Sequence, residues 1–165
     1  MLTTVRCCRS WALAVLLGVL LPPGALAGPP SRPPGLVVLE ERPSQEGMRV
    51  LGIYGPRQDP ASPELWRVSF WQQRGADVTV RTDTVRCSLS TPMRLTNETG
   101  RWQLAELNPG GPIHPGNRVD HLVWWAVCHP EQAGRDPAGL GELARQLGYS
   151  GSLRESVQIL PGRGR

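Results

Sequence analysis

Residues 117–131, NRVDHLVWWAVCHPE, decide the fold. Read with period two, Val119, Val123, Trp125 and Val127 fall on one side and Leu122, Trp124, Ala126 and Cys128 on the other. A strand that is apolar on both sides is a central strand covered on two faces. The spacing of Val119, Val123 and Val127 also makes a helical stripe, but the Val and Trp content favours the strand, and we expect a strand at 118–128.

Upstream of this stretch the pattern is also of strand type. Leu36–Glu41 and Met48–Tyr54 are short β-rich runs separated by RPSQEG, a turn by its Pro, Ser and Gly. Leu65–Gln72 alternates, with Trp66, Val68 and Phe70 opposite Arg67 and Ser69, and leads through QRGAD into a hairpin partner at Val78–Thr82. Val85–Leu89 and Arg101–Leu107 are further candidate strands, and Glu155–Leu160 is a last short one. The loop NPGGPIHPGN, 108–117, is too rich in Pro and Gly to be a regular element.

One helix is signalled near 137–147. Asp136 can cap it, Pro137 suits its first position, Leu140, Leu143, Ala144 and Leu147 form a stripe, and Gly148 ends it. The sum is an α+β fold: a β-rich single small domain over 36–160, an antiparallel sheet or sandwich with one C-terminal helix.

The N-terminus reads as an address. Arg6 and Arg9 precede an apolar run, Trp11–Leu21, and Ala25-Leu26-Ala27 is a small-x-small cleavage site, so 1–27 is read as a signal peptide. Eleven apolar residues span roughly 16 Å as a helix, short of a hydrocarbon core of about 30 Å, and no membrane span is expected after cleavage. Residues 28–35, GPPSRPPG, form a Pro/Gly-rich leader, and 161–165 a frayed tail. Export implies a periplasmic or secreted protein.

Composition then excludes several chemistries. All 18 basic residues are arginine, so a Schiff-base lysine and a Walker-type phosphate loop are both ruled out. Without Arg6 and Arg9 the chain has sixteen arginines against fourteen acidic residues, interspersed, and no nucleic-acid partner is expected. Gly139-Leu-Gly141-Glu-Leu-Ala144 matches a dinucleotide fingerprint on paper, but lies within the expected helix rather than after a strand, and no cofactor is expected.

Of the four cysteines, Cys7 and Cys8 leave with the signal peptide. Cys87 and Cys128 remain and are expected to pair as a disulfide in an oxidising compartment. Asn97-Glu98-Thr99 is a glycosylation sequon if the chain passes through a eukaryotic secretory pathway.

His114, Asp120 and His121 are the candidate catalytic residues, and His114 and His121 the candidate metal ligands. His121 and His129 lie roughly 26 Å apart on a strand, or about 12 Å along a helix, too far to share a zinc. Only a fold-back of the 108–117 loop brings His114 toward Asp120 and His121. Among the tryptophans, Trp71 is the candidate for an exposed aromatic binding position, since Gln72, Gln73 and Arg74 follow it. The function expected is that of a small exported, disulfide-linked binding or accessory protein with a protein or carbohydrate ligand. The alternatives are an exported hydrolase, metal-assisted around residues 108–121, and a structural envelope component.

Overall fold

The computed structural model describes Gly28 and residues 30–161. The signal peptide read at 1–27 and residues 162–165 of the tail lie outside the described residues. Seven strands follow one another in a single sheet: β1 (Val37–Ser44), β2 (Gly47–Asp59), β3 (Ser62–Arg74), β4 (Asp77–Arg86), β5 (Met93–Glu98), β6 (Arg101–Glu106) and β7 (Ser156–Leu160). They are ordered β1 to β7 without a crossover and pair antiparallel throughout. Two helices, α1 (Arg118–Cys128) and α2 (Gly141–Gln146), lie between β6 and β7, with 3-10 turns at Pro130–Gln132 and Pro137–Gly139. The chain is thus the β-rich small domain its alternation predicts.

The stretch at 118–128 is a helix, which corrects the strand expectation. Every residue from Asp120 to Val127 is buried. A helix covered all round is apolar all round, so the same residues satisfy both periods and the pattern cannot choose between them. Length and coverage choose instead: eleven residues make a rod of about 16 Å as a helix but about 36 Å as a strand. The rod packs on the sheet, burying Leu122, Val123, Trp124 and Trp125 with Leu51, Ile53, Val68, Phe70 and Val85. The indole N–H of Trp124 donates to the carbonyl of Arg86 at 2.9 Å, whereas the buried indole nitrogen of Trp125 has no hydrogen-bond partner among the described residues.

Three smaller expectations are corrected. The runs read separately at 78–82 and 85–89 belong to one strand, β4, which stops at Arg86. The helix near 137–147 is broken at Leu140 into a 3-10 turn and the short α2, although Asp136 does cap it, accepting from the Ala138 N–H. Gly139 and Gly141, each about 1 kcal/mol worse than Ala in a helix, flank the break. The third is β5, unexpected because its inward residues are Arg94 and Thr96, so its buried row is polar.

The disulfide joins Cys87, just past β4, to Cys128, the last residue of α1, with Cα atoms 5.4 Å apart. It ties the helix to the sheet at one end. Closing a loop of sequence separation 41 lowers the entropy of the unfolded chain by the equivalent of about 4 kcal/mol. Replacing both cysteines by serine is expected to lower stability in urea by about 2–4 kcal/mol. Equal midpoints for the variant and the parent would show that the bond adds nothing.

Candidate functional site

The face of the sheet that carries α1 is wired by charge beneath its apolar layer. Arg94 on β5 is almost fully buried, and all three of its guanidinium nitrogens are engaged. Nε and Nη2 donate to Asp83 Oδ2 at 3.0 and 2.5 Å, and Nη1 donates to Asp120 Oδ1 at 2.8 Å. Arg81 extends the chain outward, donating to Asp83 Oδ1 at 3.2 Å and to Glu98 at 2.5 Å. The Phe70 ring lies under both guanidinium groups, 4.5 Å from that of Arg81 and 4.8 Å from that of Arg94. A continuous line of alternating charge therefore runs from Glu98 at the surface to Asp120 on α1.

The outer end of that line opens into a cleft of 690 Å³, lined by Gln72, Arg74, Thr79, Arg81, Asn97 and Glu98 among others. Residues opposed across antiparallel strands share a face. By register, Gln72 and Thr79 stand beside Leu51, and Arg81 beside Phe70, so these belong to the helix-bearing face. The cleft is the part of that face that α1 does not cover.

The sequence candidates do not converge. Asp120 is committed to Arg94. His121, fully buried, faces the opposite way and, with its hydrogen on Nε2, donates to Glu155 Oε1 at 2.8 Å. Its Nδ1 is buried without a partner. His114 is exposed and engaged through its backbone, its N–H donating to Asn117 Oδ1 at 2.8 Å and its carbonyl accepting from the Asn117 and Arg118 N–H groups at 3.2 and 3.0 Å. The loop does fold against α1, but through other residues. Glu155 accepts from the Asn108 backbone N–H at 3.1 Å and from Asn117 Nδ2 at 2.8 Å, and Asn108 reaches Gly151 and Leu153. Sequence reasoning missed Glu155, Asn108 and Asn117. Two asparagines bracketing a Pro/Gly loop are the available signal, since their side chains can substitute for missing backbone partners.

Among the described residues, no group of three His, Cys, Asp or Glu side chains is placed to hold a metal ion. Trp71 is buried at 2% exposure, which corrects its reading as an exposed aromatic. It lies on the sheet's other face beside Gly52, where a Cβ would come within 2.7 Å of the Leu36 side chain. Asn97 is half-buried in β5, and its Oδ1 accepts from the Gly100 N–H. No described helix is long and apolar enough to cross a membrane.

His129, at the far end of α1, sits among Trp124, Trp125 and Tyr149 with ring centroids 5.1–5.8 Å away. Its Nε2 is 3.1 Å from the Tyr149 hydroxyl. Burial pushes its pKa below the ordinary 6.5, against a weaker upward pull from Glu131, and burial pushes the Tyr149 phenol up. Compared with known proteins, the chain matches no family model, no curated protein and no solved structure.

Two outcomes are expected. Arg94→Met should cost about 3–5 kcal/mol in urea, because Asp83 stays buried with Arg81 alone and Asp120 loses its partner, whereas adding Asp83→Asn to it should recover part of the loss. A loss below about 1 kcal/mol would mean the chain of charge is not holding the fold. As for pH, the unfolded chain takes up a proton at position 129 that the folded chain resists, so stability should fall as pH drops below 6.5 and level off once the folded-state pKa is passed. Thermal melts at about pH 7.5 and 5.5 should show a smaller drop in His129→Gln than in the parent. An identical drop in both would assign the acid sensitivity elsewhere.

Proposed function

We propose that the chain is an exported, disulfide-linked binding or accessory protein of α+β fold, whose ligand seats in the cleft beside α1. The observation that carries this reading is the cleft itself. It is a polar concavity of 690 Å³ built on three adjacent strands, with a floor residue, Arg81, fixed by Asp83, Glu98 and the Phe70 ring. Side chains locked on strands present a preorganised surface, which is what binding without chemistry requires. The hydrolase alternative needs a nucleophile or water held by converging acid and base groups. Its named residues point to three different environments, and that geometry favours binding.

Export is supported by the leader-like composition of residues 1–27 and by the Cys87–Cys128 bond, a pairing that persists in oxidising compartments. The lining favours a polar ligand, a protein surface or a carbohydrate, over an apolar one.

Expression of the full chain with its leader should yield an extracytoplasmic product that begins at Gly28, read by intact mass. That product, isotope-labelled, would be titrated with a panel of envelope saccharides and a soluble envelope-protein fraction. The amides of Gln72, Thr79, Asn97 and Glu98 should shift as a group. A full-length product retained in the cytoplasm would remove the export reading, and turnover of a saccharide without shifts at the cleft would replace binding by hydrolysis.

A further inference from the structure

Three arginines stand side by side across the first three strands, and one of them, Arg74, lines this cleft. Arg42 on β1 opposes Arg49 on β2, and Arg49 opposes Arg74 on β3. All three lie on the helix-bearing face: Arg49 is in phase with Leu51 and Ile53, Arg74 with Phe70, and Arg42 with Glu40, which pairs with Arg118 of α1. Neighbouring strands are about 4.8 Å apart, so the row sets three guanidinium groups within reach of one another. Like charges directly opposite destabilise a sheet.

Arg42 has a carboxylate partner, and Arg74 is opposed across the β3–β4 pair by Asp77, though without an ion pair. Glu40 lies 3.3 Å from Arg42. Among the described residues, neither Arg49 nor Arg74 has a carboxylate within salt-bridge distance. Arg74 instead faces a neutral group: with the Gln72 amide turned to satisfy both its ends, its oxygen accepts from Arg74 Nε and Nη2 at 2.9 Å. Arg49 is half-buried, and its Nε is shielded from water with no hydrogen-bond partner. That Nε is as closed to a ligand as it is to water, so Arg49 can meet an oxyanion only through its Nη groups, which are not sealed off.

The row is also held in place. The β1–β2 and β3–β4 turns press together, so that a Cβ on Gly75 would fall 2.1 Å from the Glu46 carbonyl oxygen, and the Gly75 N–H donates to Met48 O at 2.9 Å. Gly75 has φ +58, a conformation suited to glycine. The two hairpin tips therefore cannot splay to relieve the repulsion.

Resting on the binding reading above, we infer that Arg49 and Arg74 bind a phosphate monoester, with Arg42 at the rim and the body of the ligand in the cleft. Two guanidinium forks outside any salt bridge offer more donors than one carboxylate can accept, and the three oxygens of a phosphate monoester can meet them. The cleft is recessed, which favours a soluble phosphate ester over the headgroup of a lipid.

The test uses the mature, disulfide-bonded protein and calorimetric titration at constant ionic strength. The probes are inorganic phosphate, glycerol 3-phosphate, acetate, and phosphatidylcholine vesicles doped with phosphatidic acid. Phosphate and glycerol 3-phosphate should bind and acetate should not. The Arg49→Gln, Arg74→Gln double variant should weaken phosphate at least about tenfold, the loss of one charge-assisted hydrogen bond or more. Arg57→Gln, Arg67→Gln, on the other face of the sheet, should leave it unchanged. Binding to the vesicles that the Arg49/Arg74 variant abolishes would keep the phosphate group and move its source to a lipid. If the double variant fails to fold, amide shifts of the parent on adding phosphate decide: they must centre on Arg49 and Arg74. No phosphate binding by the parent, or binding that the variant retains, overturns the assignment. If that happens while the saccharide and protein panel still shifts the cleft, the binding reading survives without it; if both are silent, both fall.

Discussion

A guanidinium removed from water must be met on every side, and the burial of Arg94 sets the terms for the rest of this molecule. Desolvating such a group costs several kcal/mol even after relaxation, and the cost is offset only by well-placed partners. Here the partners come from separate elements: Asp83 on β4, Asp120 on α1 and the Phe70 ring on β3. Apolar packing is tolerant of small shifts, but a charge pair is not. Sliding α1 by one turn along the sheet would move Asp120 by about 5 Å and leave Arg94 underpaired. The helix is thus registered by charge near its N-terminus and by the disulfide at its C-terminus, with the tryptophans filling the space between.

What could be read from the residues follows from how one-sided each element is. The first half of β3 has a wet side and a dry side, Arg67 against Val68, so its alternation is plain, whereas its Trp71 is buried on the opposite face from Phe70 and the alternation there misleads. α1 has no wet side, and valine and tryptophan misdirect the choice that remains. β5 hides for the opposite reason: its dry side carries Arg94 and Thr96, residues that read as solvent-facing until a partner is known. The site suffers from the same blindness. His121 and Asp120 stood out because they are adjacent in sequence, yet adjacency on a helix sends them about 100° apart, one to Glu155 and the other to Arg94. Their true partners lie 34 and 26 residues away, at distances no local pattern encodes. The Cys87–Cys128 pairing was legible because, with Cys7 and Cys8 assigned to the segment read as a signal peptide, one pairing is left.

The helix-bearing face divides into two regions with different rules. Under α1 every charge is answered by another within the protein. Beyond it, at the tips of the first two hairpins, Arg49 and Arg74 stand outside any salt bridge among the described residues and the backbone is held tight. The absence of lysine sharpens this contrast: a guanidinium is a rigid fork that keeps its charge when partly buried, whereas an ammonium would more readily give up its proton or swing into water.

The order of strands has a consequence for how the chain is made. Each strand pairs with the one synthesised just before it, so hairpin after hairpin can close without waiting, up to β6. At that point Asp83 and Arg94 already face each other, and Cys87 is a thiol with no mate. The helix that supplies Asp120, the tryptophan core and Cys128 arrives later, and β7 last of all. Until then the nascent sheet exposes its apolar face, which is the interval in which a chaperone or an oxidase would meet this protein.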